Sequence, residues 1–411
     1  MNKEKGFVAL LITILVLLFM LNLAISMNTL LFGNQKITEN VIKSTQSYYT
    51  AEAGIEDSLL RLKNNPQMAL LSYSLTINNT TANVLIPEII GGSRVITSNG
   101  NYAGRIKKMQ TVYSIDAQGI SFHYGAQVGE GGLQMTNSSR VQGNVFSNGN
   151  VTGSGSATID NDVIISGNGH SLSGMHVKGN ALVYSCSNSI IDGNLTYVSG
   201  GTNNCAVGGT TSVQSGEIIS QSLPIPQSQV DEWKSDAEIG GTIDSVSLSG
   251  SQTMSLGPKK IAGNLSISNN AVLTLTGTVY VTGNIAISNS AKIKLDSSYG
   301  SLSGVILSDG TISPSNTSAL QGSGQTSSYL LVLSTNTSNS AISVSNSATG
   351  AIFYATAGGI TVSNNFSARE VTGYKLIMSN SSVITYESGL SNVFFSSGPS
   401  GGWKVASWEE K

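Results

Sequence analysis

Gly263-Asn264-Leu265-Ser266-Ile267-Ser268-Asn269-Asn270-Ala271 recurs one repeat later as Gly283-Asn284-Ile285-Ala286-Ile287-Ser288-Asn289-Ser290-Ala291. In both copies two large apolar residues flank a small one and then run into Ser-Asn. The same apolar-x-apolar-Ser/Thr-Asn pattern returns around Asn137, Asn346, Asn364 and Asn380, the last three at spacings of 18 and 16. Gly-Asn pairs also stand at Gly143, Gly179 and Gly193. A period of this size, with three short strands in each repeat, suits a right-handed parallel β-helix, or β-solenoid. Alternate Val, Ile and Leu would point inward, and neighbouring strands would stack about 4.8 Å apart. Glycine supplies corners at positive φ. Asparagine tolerates them, and stacked Asn amides can hydrogen-bond along the axis. The other reading of such a texture is an irregular Ser/Gly-rich stalk, which inward alternation argues against.

Composition agrees with a β-rich fold. Charged residues make up 11%, well under the usual quarter, while hydrophobic residues reach 39%. Disorder normally needs the opposite balance. With 46 Gly and only 7 Pro, neither collagen nor a Pro-rich linker fits. A net charge of −2 gives no basic field for nucleic acid. Low charge also suits a stack, where like charges would sit within repelling distance.

The solenoid is expected over 123–393. Cys186 and Cys205 are separated by 19, about one coil, which places them within disulfide range if stacked. Export would let that bond form. Leu223-Pro224-Ile225-Pro226 and the following Ser228 to Lys234 read as a capped short helix, an excursion at about 221–240 with Trp233 packed on the flank. At 394–411, Phe394, Phe395, Trp403 and Trp408 are expected to cap the last layer.

Upstream, Lys3, Glu4, Lys5 and Gly6 precede an apolar run from Phe7 to about Met27. That is close to the ~20 residues a helix needs to cross a bilayer, with the lysines on the cytoplasmic side. It could be a signal anchor, a secretory signal cut near Ala24-Ile25-Ser26, or a short basic leader cut between Gly6 and Phe7. Leu30, Ile37, Val41, Tyr48, Ile55, Leu59 and Leu62 continue as one helical stripe. Asn64-Asn65-Pro66 then stops the helix. A single helix over 7–64 would be roughly 85 Å long, with Gly33 its weak point. Tyr73–Ile77, Ala82–Ile86, Ser93–Thr97 and Arg105–Ile115 read as strands, with a hairpin turn at Ser98-Asn99-Gly100-Asn101. A small sheet over 65–122 would cover the stripe.

Lys5-Gly6-Phe7, the apolar helix and Tyr48-Tyr49-Thr50-Ala51-Glu52-Ala53-Gly54-Ile55-Glu56-Asp57 resemble type IV pilus minor pilins of the PilX-type N-terminal family, over roughly residues 1–120. The resemblance implies a prepilin-type leader (1–6), cleavage by a prepilin peptidase, an inner-membrane helix with the ectodomain outside, and other pilin subunits and the pilus assembly machinery as partners. Major pilins carry Glu at the fifth mature position. Here that position is Leu11, as in minor or tip subunits.

Parallel β-helices also host polysaccharide-cleaving enzymes, which need convergent carboxylates. The candidates are Asp160, Asp162, Asp192, Asp244, Asp296 and Asp309, with His170 and His176 in Gly-rich turns and Arg105-Ile106-Lys107 as a basic run. No nucleophile elbow, phosphate loop or metal spacing stands among them. Asp160-Asn161-Asp162 is at most a weak Ca²⁺ turn. The expectation is therefore a non-enzymatic surface protein without cofactor or metal. Its ectodomain would act as a spacer or adhesive surface, with surface glycans as candidate partners. The alternatives are a tethered protein outside any filament, or a secreted polysaccharide-acting β-helix.

Overall fold

The computed structural model describes residues 3–65, 68–88, 93–115, 117–350, 352–396, 398 and 403–411. It is mainly β, with one long N-terminal helix and a large sheet of parallel strands.

Helix α1 (Lys3–Asn64) runs 62 residues, roughly 93 Å at helical rise, straight through Gly33. Its last turns lie under an antiparallel sheet of β1 (Leu71–Ile77), β2 (Thr80–Ile86), β3 (Ser93–Tyr102) and β4 (Arg105–Ile115). Ala51, Ile55 and Leu62 of the helix are fully buried against Val84, Ile86, Ile96 and Met109. The sheet covers only the C-terminal part of the expected stripe. Leu30, Ile37 and Val41 stay 68%, 62% and 58% exposed.

The β3–β4 turn falls at Ala103-Gly104, where φ is 48° and 78°, and not at 98–101. Gly100 has another use. A Cβ there would stand 2.1 Å from the Ser47 carbonyl oxygen and 2.4 Å from the Ala51 nitrogen. Gly54 is equally confined, 2.3 Å from Ser98 Oγ. The sheet backbone at Gly100 therefore touches the helix backbone at Ser47 and Ala51, while Gly54 lies against the Ser98, Val84 and Ala82 side chains, which explains the small Ala51 and Gly54.

In the large sheet every pairing is parallel, and strands pair with partners one repeat further along the chain, as Ser171 does with Ser185 and Ile312 with Ile342. Residues one column apart keep register over long distances. Leu265, Ile285 and Ile312 lie in line, as do Ile342, Ile360, Leu376, Leu133, Val151, Leu172 and Cys186. These side chains are almost wholly buried in one core. Positions one residue on are mostly small and polar, as at Ser266, Ser313, Ser343, Thr361, Thr152 and Ser173, with Ala286, Ile377 and Gln134 departing from this.

Spatial order differs from chain order. From 126 the chain stacks passes at 126–142, 145–159, 163–177, 181–191, 195–207 and 211–214. It then crosses back along the flank. The Ile218 carbonyl accepts from Gly167 (3.0 Å), that of Gln221 from Asn148 (2.7 Å) and that of Ser222 from Gln127 (2.9 Å), while Ile225 bonds the Tyr354 hydroxyl through both backbone groups (3.1 Å each). Helix α2 (Gln227–Ile239) follows against strands Lys259–Ile267 and Val279–Val281. The chain starts again at 242 at the opposite end and stacks back toward the middle. Its last pass, 370–385, pairs with its first, so that Val371 meets Ala126 and Val383 meets Arg140.

Two expectations are corrected by this order. The segment at 221–240 is the connector between the two ends of the stack. Pro226, not Ser228, caps its helix, with no side-chain cap bond. The C-terminus caps no end, because the last pass lies in the middle beside the point of entry. Strand Val393–Ser396 pairs antiparallel with Ala117–Ile120, and Trp403–Glu410 adds to the small sheet at β4. Phe395 is buried edge-on to Trp233 (5.8 Å between ring centres), whereas Phe394 is 46% and Trp408 38% exposed. The side chain of Trp403 and residues 399–402 lie outside the described residues.

Strands Val279–Val281, Gly304–Ser308 and Leu330–Ser334 are buried on both faces. Tyr280, Leu307 and Leu333 point away from the main core, into a second core under α2, Phe122, Leu390 and Phe395.

Candidate functional site

The N-terminal half of α1 is the most distinctive surface. Its best 18-residue window has mean hydropathy 2.6, and none of it is buried. By length and composition it can cross a membrane. Its polar residues bond within the helix. Thr13 Oγ1 donates to the Leu10 carbonyl (2.8 Å), Asn22 Nδ2 to Leu18 (3.0 Å) and Ser26 Oγ to Asn22 (2.8 Å). That satisfaction lowers the cost of placing them in hydrocarbon. Leu11 is 52% exposed and adds no charge. Gly6 and Phe7 lie within the helix.

At its other end the helix is clamped to the sheet. Arg61 Nε donates to Asp57 (2.7 Å), the Tyr73 hydroxyl donates to the same carboxylate (2.5 Å), and the Arg61 guanidinium lies 4.5 Å from the Tyr73 ring centre. Burial pushes Asp57 upward, but the bonds from Arg61 and Tyr73 outweigh it and hold the carboxyl below its ordinary range.

Most candidate polar residues hold the stack together. Asn269, Asn289, Asn316, Asn346, Asn364, Asn380 and Asn137 form one continuous amide ladder, with neighbours joined Nδ2 to Oδ1 at 2.9–3.0 Å. All seven have φ between 50° and 56°. Gly250 and Gly155, also at positive φ, occupy the equivalent positions beyond the ladder's two ends. The Gly-Asn pairs make a second ladder: Asn180 Oδ1 accepts the Asn194 amide (2.9 Å), and Asn264 Oδ1 that of Asn284 (2.8 Å).

The aspartates do not gather. Asp160 lies between Arg140 (2.5 Å) and Lys178 (3.1 Å) of the flanking passes. Burial raises its pKa, and the two cations more than offset that, holding it low. Asp162 accepts the Asn180 amide (2.7 Å), Asp192 pairs with His176 (3.0 Å), and Asp296 caps the turn at Ser298 (3.0 Å). Asp309 meets Lys234 (2.5 Å), Thr335 (2.6 Å) and Tyr280 (2.5 Å), tying α2 to the sheet. Asp244 is exposed on strand Thr242–Leu248. His170 Nδ1 lies 2.7 Å from the Ser166 carbonyl of its own turn. Arg105 reaches Asn40 (2.7 Å), and Lys107 pairs with Glu410. Among the described residues no group of three or more His, Cys, Asp or Glu is placed to hold a metal.

Cys186 and Cys205 are joined as a disulfide, with Cα atoms 5.8 Å apart. They are not directly stacked: Asn203 pairs with Cys186, and Cys205 stands two positions along. Two features went unread in the sequence. Glu370 is a fully buried carboxylate, and residues 321–328 form a loop over Arg369 and Glu387. The unbroken apolar run Tyr329–Leu333 was the available signal for a strand covered on both faces.

No protein-family model and no curated protein matches this chain. Among solved structures it is similar to the competence-associated pilin ComZ from Thermus thermophilus, at 11% identity over 90% of this chain and 97% of that one, TM-score 0.21. A second is an ice binding protein from an Antarctic bacterium, Flavobacteriaceae, at 11% identity over 63% and 80%, TM-score 0.12. At such TM-scores neither likeness carries an argument.

Proposed function

We propose that this chain is a non-enzymatic, type IV pilus minor-pilin-like surface protein. The observation that carries this is α1: one unbroken helix whose first half is apolar and uncovered and whose last turns are locked under a small antiparallel sheet. An uncovered apolar helix needs a bilayer or like helices to bury it. In this reading a prepilin peptidase cuts between Gly6 and Phe7. The helix is held in the inner membrane and then packs against other pilin subunits. The parallel passes wind as a right-handed β-helix outside the cell, the hand that parallel crossovers favour. Repeated pairing at short sequence intervals supports that winding. The β-helix serves as spacer or adhesive surface, and the dispersed aspartates, most of them bonded within the protein, support a role without catalysis.

The test is the mature N-terminus, read by mass spectrometry of a membrane preparation. A start at Phe7, and more so a methylated one, is the expected result. A start near Met27 would refute the reading. An intact Met1 would favour a tethered protein outside any filament.

A further inference from the structure

The repeat lengthens in two consecutive passes. Asn264 Oδ1 meets the Asn284 amide across a separation of 20, but Asn284 Oδ1 meets the Thr311 amide across 27, and Ser303 Oγ meets the Tyr329 amide across 26. The added residues include 297–303 and 322–328. The second of these walls a groove of about 640 Å³, and the first backs that wall where Gly300 and Ser301 lie beside Gln325. Thr349 and Ser367 form part of the groove's floor, and Arg369 and Glu387 its far side.

The wall is pinned. Ser328 Oγ donates to the Leu302 carbonyl (2.7 Å) and accepts from the Ser323 amide (3.0 Å), and Ser323 Oγ donates to the Gly300 carbonyl. Ser327 is held at φ 65°, away from the Asn corners where most other left-handed residues lie. Strained backbone held by its surroundings clusters at ligand clamps, and a preformed loop lowers the ordering cost of binding.

The groove's chemistry is specific. Arg369 Nε donates to Glu387 Oε1 (2.7 Å), and the Tyr329 hydroxyl donates to Glu387 Oε2 (3.1 Å). Burial and then that bond push the tyrosine up to about 12. The two charges cancel, so the described lining residues offer no free cation to an anionic ligand. The lining otherwise carries neutral polar residues, among them Gln321, Gln325, Thr326, Thr349 and Ser367. Its volume lies within the range of small-ligand sites.

We propose that this groove binds a short, neutral oligosaccharide. The proposal rests on the adhesive reading above and gives it a site. Glu387 is the one carboxylate among the described lining residues, so the groove is built to hold a glycan and lacks the carboxylate pair that cleaves one.

The experiment is saturation-transfer NMR on the detergent-solubilised full chain, with maltotriose, cellotriose and triacetylchitotriose as probes at millimolar concentration. Saturation of at least one is expected. Thr349→Trp, which fills the floor, and Arg369→Ala should weaken that binding about tenfold or more. Thr152→Trp, on a distant exposed rung, should leave it unchanged. If Thr349→Trp alters the fold, Gln325→Ala on the exposed loop reads the same loss. No saturation of any probe, or equal loss in Thr152→Trp, overturns the proposal. The readout is independent of leader processing. Binding with an intact Met1 would keep the groove and remove the pilin, and a Phe7 start without binding would do the reverse.

Discussion

Single residues here are chosen by what lies against them, and Gly100 is the clearest case. In the sequence it stands within a stretch that reads as a turn, but it is a contact point where any side chain would enter the helix backbone. Gly100→Ala is expected to destabilise the protein by about 1–3 kcal/mol, as overpacking does. Gly216→Ala, with open space around it, should change little. Thermal melting followed by circular dichroism compares the two. Glu370 was equally hidden, since nothing in the sequence marks a buried acid. The Thr372 hydroxyl bonds its Oε1, and Oε2 takes no hydrogen bond from the described residues. Burial holds its pKa well above the ordinary 4.5, and the Thr372 bond only partly opposes this. A raised acid favours the fold fully below about 4.5 and loses that contribution as pH climbs toward the folded value. Glu370→Gln should therefore flatten the decline of melting temperature above that pH and melt higher near neutrality. Parallel pH profiles for the two proteins would count against the assignment.

The elements divide into those legible from periodicity and those fixed by distant packing. The Asn corners were legible because αL backbone and an amide side chain together demand Asn at a fixed place in each repeat. Asn316 alone was missed, since its repeat is stretched to separations of 27 and 30. It sits inside the ladder with amide partners on both sides. Asn316→Ala is expected to cost about 2–4 kcal/mol, from left-handed strain and lost amide bonds. Asn316→Gly should recover the backbone share. Chemical denaturation of both variants separates the terms, and equal losses would show that backbone strain contributes nothing there. The buried half of the α1 stripe was legible too. Its exposed half was not, because periodicity says which face is apolar and not what covers it.

At the scale of the whole molecule, local pattern is silent about order. Each repeat looks like its neighbours, so the sequence could not show that the pass at 370–385 would dock on 126–142. The seam has no covalent crossing of its own; the halves are joined through the connector at 215–226 and α2. Cleavage at a protease site inserted within 215–226 should leave the two fragments together on gel filtration, and denaturant should separate them, since Cys186 and Cys205 lie in one fragment. Fragments that part without denaturant would mean the seam is weak. The chain's return beside its own entry has a mechanical consequence. The large sheet is linked to the helix-bearing sheet by two paired segments, Ala117–Ile120 on the way out and Val393–Ser396 on the way back, the latter followed by Trp403–Glu410 on β4. A tug transmitted from the helix reaches the large sheet along the backbone through the first, whereas the second bears load only while Trp403–Glu410 stays hydrogen-bonded to β4. While both are drawn in the same direction, the hydrogen bonds between them are not sheared.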